Sequence, residues 1–175
     1  MSVQDLIDAG GLVPPAQPYD WARVERELEI VVPDGFRRLL DAGGAGQWFG
    51  YVRLFAPGHP LPSQDLLASP GVFEDLLVLW EDDPEFRPDD LPEDSRLLAW
   101  ANTGNGETLF WRVDPGASAD TFPVYVEDGD GESWERFDLS ATDLLEGILE
   151  GEVRPDSFSD TFLRVDEVYR PYPSV

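Results

Sequence analysis

Three short stretches carry residues whose types and spacing could do chemistry. TGNGE (103–107) sets two glycines, an amide and a carboxylate ahead of the apolar run TLFWRV. EDGDGES (127–133) alternates acids with glycines in the manner of a calcium loop, and GGAGQWFG (43–50) is rich enough in glycine to approach a phosphate. A phosphate loop needs backbone amides at a helix N-terminus, usually beside a cation. TGNGE is followed by a strand-like run, and the chain has no Lys, so a Walker motif is excluded. GGAGQWFG has Phe49 where the dinucleotide pattern needs Gly, and it follows a helical segment instead of a strand.

The calcium reading fails in both registers. A loop starting at Asp128 needs Gly at 133 and Glu at 139, where the chain has Ser133 and Leu139. Placing Gly131 at the turn glycine puts Val126 first and Phe137 last. Two Asp-Gly pairs between strand-like runs are instead a hairpin signal. His59 is the only histidine and there is no Cys, which rules out the usual zinc and nucleophile–histidine sites. No G-x-S-x-G occurs, and no cofactor or metal site is read from the sequence. Paired carboxylates could serve a glycoside-hydrolase type of reaction. With 36 acids, however, almost any fold brings some pair together, so that reading needs a deep pocket lined by two buried acids.

The elements that must position these residues follow from periodicity. In 19–30, Trp21, Val24 and Leu28 recur at helical spacing behind Asp20, a candidate N-cap. In 31–46, Phe36, Leu39 and Leu40 share a face between Pro33 and the stop Gly43–Gly44. A strand is expected at 51–55. A helix is expected at 69–81, with Phe73, Leu76, Leu77 and Trp80 as its apolar stripe. Residues 96–102, 107–113, 122–127 and 133–139 read as an antiparallel meander. A helix at 140–151 closes it, capped by Ser140 and stopped by Gly151. Residues 1–19 read as a leader with little regular structure, 20–151 as one α+β domain, and 152–175 as an extension packed back on it. In FLRVDEVYR (162–170), strand and short helix are both open.

Charge narrows the partner. The 175 residues hold 36 acids against 12 bases, all Arg, for a net charge of −24. The imbalance concentrates after residue 80, where 25 acids face 7 Arg, and 81–94 alone holds eight acids and one Arg. Direct nucleic-acid binding and an anionic membrane surface are disfavoured by repulsion, whereas a basic protein is attracted. There is no apolar run of membrane-spanning length and no secretory signal pattern, so a cytoplasmic location is expected. TGNGE reads either as a tight turn and nothing more or as a turn whose Asn105 and Glu107 face a partner. Trp48, Phe49 and Tyr51 follow a glycine-rich turn, as interface anchors or as a satellite of the core.

Four blocks in this order resemble the SUKH superfamily. They are WARVERELEIVVPDGFRRLLDAGGAG (21–46), NGETLFWRV (105–113), FPVYVED (122–128) and FDLSATDLLEGILEG (137–151). Glu107 stands where that family often has Asp, and Val32 where Leu is usual. The resemblance implies an α+β fold with an N-terminal helix pair, a central antiparallel sheet and a closing helix. For bacterial members it implies immunity: a cytoplasmic protein that binds a toxin domain, often a nuclease, and blocks it without catalysis. Other members are interaction proteins, including a fungal cell-wall regulator. The expected toxin-facing acids are Asp82, Asp83, Glu85, Asp89 and Asp90 in the 82–94 segment, and Asp128 and Asp130 in 127–132. An intracellular scaffold or regulator of the same fold is the alternative.

Overall fold

A computed structural model describes residues 3–172. It is an α+β structure in which seven strands form one antiparallel sheet, and five α-helices occur among the described residues. In chain order the elements are α1 (Val3–Gly10), α2 (Trp21–Leu28), α3 (Asp34–Gly43), β1 (Gly46–Trp48), β2 (Val52–Leu54), α4 (Ser69–Asp82), β3 (Arg96–Thr103), β4 (Thr108–Val113), β5 (Val124–Glu127), β6 (Trp134–Phe137), α5 (Ala141–Glu150) and β7 (Tyr169–Pro171). The spatial order β6-β5-β4-β3-β2-β1-β7 is a meander of the first six strands, with β7 added at the β1 edge.

Local chemistry sets the helix ends. The Asp20 carboxylate accepts the Arg23 N–H at 3.1 Å, and the Ser140 hydroxyl accepts the Asp143 N–H at 3.1 Å. Gly151, at φ 74°, ends α5 in the left-handed conformation that glycine adopts without a Cβ clash.

Within the stretch expected to be a leader with little regular structure, Val3–Gly10 form a helix that belongs to the core. Val3 and Leu6 of α1 are buried, and α1 packs against α3 and α5. The signal was present: Val3, Leu6, Ile7 and Gly10 recur at helical spacing, but the prolines that follow at 14, 15 and 18 dominate the stretch.

Both faces of the sheet are covered. Adjacent residues of a strand point to opposite faces. Trp111 meets the ring of Phe36 in α3 at 4.9 Å, while Phe110 meets Trp134 at 5.5 Å, and Trp134 meets Trp80 of α4 at 6.1 Å. The register slips between Ala99 and Ala101 of β3. Trp100, at the slip, stacks on Trp111 at 6.2 Å. Coverage on two sides explains why β3 reads as a nearly continuous apolar run instead of an alternation.

The glycine-rich exit of α3 contains β1, a strand the sequence did not suggest. Gly46 is required there by close approach: a Cβ at this position would lie 2.4 Å from the Tyr169 ring of β7. The Tyr169 hydroxyl donates to the Gly43 carbonyl at 2.6 Å, which fixes the tail against the end of α3.

Candidate functional site

TGNGE is the turn between β3 and β4. The Thr103 N–H donates to the Glu107 carbonyl at 3.0 Å, and the Gly106 N–H donates to the Thr103 carbonyl at 3.3 Å. Glu107 is 0% exposed. Its carboxylate accepts from the Tyr51 hydroxyl at 2.7 Å, from the Asn105 side-chain amide at 3.2 Å, and from the Thr103 hydroxyl. The Tyr51 hydroxyl in turn accepts the Ser159 N–H at 3.1 Å. Burial, and then the bond to Glu107, push the Tyr51 phenol above its usual range. The network ties β2, the turn and the C-terminal segment together.

The partner-facing reading of Glu107 is therefore corrected: the side chain points inward, and its acceptor oxygens are spent on the fold. Asn105 is exposed but orients its amide onto Glu107. The anchor reading of Trp48, Phe49 and Tyr51 is corrected too. All three are buried, and the satellite-of-the-core alternative describes them. Trp48 packs on Tyr169 with ring centroids 5.0 Å apart, and Tyr51 packs on Phe158 at 4.9 Å. The covering residues lie more than a hundred positions away, so local glycine content could not reveal them.

A second turn repeats the device. The Glu127 carboxylate accepts the N–H groups of Gly129 at 2.7 Å and Gly131 at 2.6 Å. Burial holds its carboxyl above the usual range, and the two N–H bonds pull it back. Glu127, expected at the partner-facing edge of 127–132, is buried. The two turns touch, since a Cβ on Gly129 (φ +97°) would lie 3.1 Å from the Gly106 carbonyl oxygen. Asp130 and Glu132 are exposed beyond the turn, and Asp128 is half-buried.

The two acidic segments, remote in sequence, are neighbours in the fold. The Trp134 indole N–H donates to the Phe86 carbonyl at 2.9 Å, and Arg136 of β6 reaches the Asp90 carboxylate at 3.5 Å. A Cβ on Gly131 would lie 3.5 Å from Leu79 of α4. The segment after α4 is thus fastened to the β5–β6 hairpin by its backbone and aromatics. That leaves Asp82, Glu85, Asp89 and Asp90 exposed and Asp83 half-buried. Arg87, the segment's one cation, turns inward. Its guanidinium lies 5.2 Å from the Trp80 ring centroid and donates to the carbonyls of Leu91 and Pro92 at 3.0 and 2.9 Å. The acids of this face therefore keep most of their charge uncompensated.

Two apolar side chains flank them. Leu77 and Val78 of α4 are 41% and 61% exposed. Leu77 was expected in the buried stripe, but α4 is apolar on most sides. It settles with Phe73, Leu76, Leu79 and Trp80 against the core, which turns Leu77 and Val78 outward beside Glu74, Asp75 and Glu81. Sequence reasoning missed this pair because a helix apolar all round does not say which face is covered.

At the base of the face, Arg112 grips Asp114 through two bonds of 2.8 and 3.0 Å and donates to the Tyr125 hydroxyl at 3.1 Å. The guanidinium is the main reason the Asp114 carboxyl sits below its usual range, with the Ser95 hydroxyl also donating to it. This is a structural clamp, because every charged group in it already has a partner.

Catalytic geometry has a different distribution. The buried glutamates Glu107, Glu127 and Glu146 line none of the five principal concavities. Among the described residues, no group of three or more His, Cys, Asp or Glu side chains is placed to hold a metal ion, and no helix is long and apolar enough to cross a membrane. Compared with protein-family models, with curated proteins and with solved structures, the chain matches none.

Proposed function

We propose that the chain is a cytoplasmic immunity protein that binds a basic toxin domain, a nuclease by preference, and neutralises it without catalysis. The observation that carries this reading is the union of two acidic segments in one face, where Arg87 is turned inward and Arg136 reaches, of these acids, only Asp90. A nuclease must present positive charge to hold its substrate, and an acidic face covers that same surface. Leu77 and Val78 supply the apolar contact that charge alone does not. The resemblance of residues 21–46 and 105–151 to the SUKH superfamily supports the same function. The separation of the buried glutamates from the concavities favours binding over a carboxylate-dependent hydrolase.

The test is capture followed by neutralisation. The purified chain is incubated with the lysate and secretome of its producer, and bound proteins are identified by mass spectrometry. The expected outcome is a basic domain whose toxic activity falls when the chain is added in equimolar amount. Capture of only non-toxic intracellular proteins would replace immunity with a scaffolding role.

A further inference from the structure

A concavity of about 820 Å³, the most spacious of the five principal ones, lies at the other end of the acidic segment from α4. Its walls are the link between α2 and α3, the start of β3 and the loop after β4. Ile30, Val32, Val113 and Phe122 are buried among its lining, and Val31 on its rim is 63% exposed. Six carboxylates and two guanidiniums line it.

Both guanidiniums are engaged by the chain itself. Arg96 donates to the carbonyls of Leu28 and Glu29, each at 3.1 Å, and Arg37 pairs with Glu25 at 3.3 Å and Asp34 at 3.5 Å. Asp114 is held by Arg112. The carboxylates of Glu29, Asp94 and Asp120 have no hydrogen-bond or ion-pair partner among the described residues. The wall carrying Glu29 is fixed: its backbone sits at φ 56°, Arg96 holds its carbonyl, and the Val32 N–H is tied to the Glu25 carboxylate at 3.2 Å.

We infer that this groove receives an arginine-bearing segment of the protein partner. The alkyl stem of the arginine would lie on the Ile30–Val31–Phe122 surface, with its guanidinium among Glu29, Asp94 and Asp120. A long cationic side chain fits both halves of the lining, since its methylenes cover apolar surface while its head stays with the acids. The planar guanidinium, which donates in a fork and is more weakly hydrated than an ammonium, suits a rim with several unpartnered carboxylates. The volume is in the range of ligand sites, which holds a short segment and not a single atom pair. This assignment rests on the reading of a basic protein partner and adds where that partner inserts. It adjoins the face formed by 81–94 and 127–132 and shares only Asp94 with it.

The test uses small probes on the full chain, so it is independent of finding the toxin. ¹⁵N-labelled protein is titrated with the peptide acetyl-Val-Arg-Val-Arg-amide and with the same peptide carrying citrulline, the neutral isostere, in place of arginine. Shifts are expected at residues 29–32, 94 and 116–120, with affinity about tenfold higher for the arginine peptide, the scale of a charge-assisted pair. Asp120→Asn removes an exposed, unpartnered carboxylate and should weaken binding about threefold, whereas Asp130→Asn on the hairpin should not. Equal affinity for the two peptides would overturn the inference. So would shifts spread over 82–90 and 128–132 as strongly as over the groove. Failure here leaves the immunity reading standing, and failure of toxin capture leaves a groove result standing.

Discussion

The paired turns at 103–107 and 127–131 and the exposed segment at 81–94 are all acidic in sequence, yet their carboxylates do opposite work. In the turns, Glu107 and Glu127 face inward and accept from side chains or backbone N–H groups that would otherwise be orphaned. In the segment, the backbone and aromatics make the attachments and the acids, apart from the contact of Asp90 with Arg136, are left outside. Negative charge therefore marks a binding surface only where the carboxylates lack donors from their own chain. Substitutions in the turns should cost stability, and substitutions in the segment should cost association.

The largest effect is expected at Glu107. Glu107→Ala strands the Tyr51 and Thr103 hydroxyls and the Asn105 amide, two of them in the interior. It should destabilise the fold by about 3 kcal/mol in urea unfolding. A loss within about 0.5 kcal/mol would mean that the turn does not depend on its carboxylate.

Gly129→Ala comes next. It combines a left-handed backbone with a methyl pressed against the Gly106 carbonyl, and a loss of about 2 kcal/mol is expected. Gly104→Ala, with nothing near its Cβ position, serves as the mild control.

A smaller effect separates Glu127 from the surface acids by pH. Burial raises its folded-state carboxyl above the ordinary value, so the native state holds that proton more tightly than the unfolded chain. The resulting stability is present below the ordinary carboxylate pKa and lost as pH rises through the raised one. Glu135 and Glu146 are shifted up by burial in the same sense. Tm should rise as pH falls from neutral toward the carboxylate range. Glu127→Gln, which keeps an oxygen acceptor, should flatten part of that rise, and an unchanged slope would assign it to general charge repulsion.

The smallest stability effect belongs to the segment. The combined variant Asp82→Asn, Glu85→Gln, Asp89→Asn and Asp90→Asn should stay within about 0.5 kcal/mol per site of wild type, since these side chains are exposed. Loss of the native fold would show that they are structural after all.

How far the sequence foretold this arrangement depends on whether each contact is local. Helix α5 was legible because Ser140, the Leu144–Leu145–Ile148 stripe and Gly151 are all within one element. The meander was legible from apolar runs separated by Gly-Asn-Gly and Asp-Gly turns. For Trp48, Phe49 and Tyr51 the sequence left interface anchor and core satellite both open, because Phe158 and Tyr169, which cover them, come from the far end of the chain. The inward aim of Glu107 depends on Tyr51, 56 residues away. Leu77 was misassigned because α4 offers apolar residues on more than one face. That the segments 82–94 and 127–132 meet is a tertiary fact carried by Trp134 and Phe86, and charge counting alone does not contain it.

The most direct test of the central claim is the association rate of the captured basic domain with wild type and with the four-acid variant, measured by stopped flow across salt concentrations. If the 81–94 face guides binding, the wild-type rate falls about tenfold between about 0.05 and 0.5 M salt, and the variant is slower with a shallower dependence. Identical rates and identical salt dependence would contradict the account, because the charge on this face would then play no part in recognition.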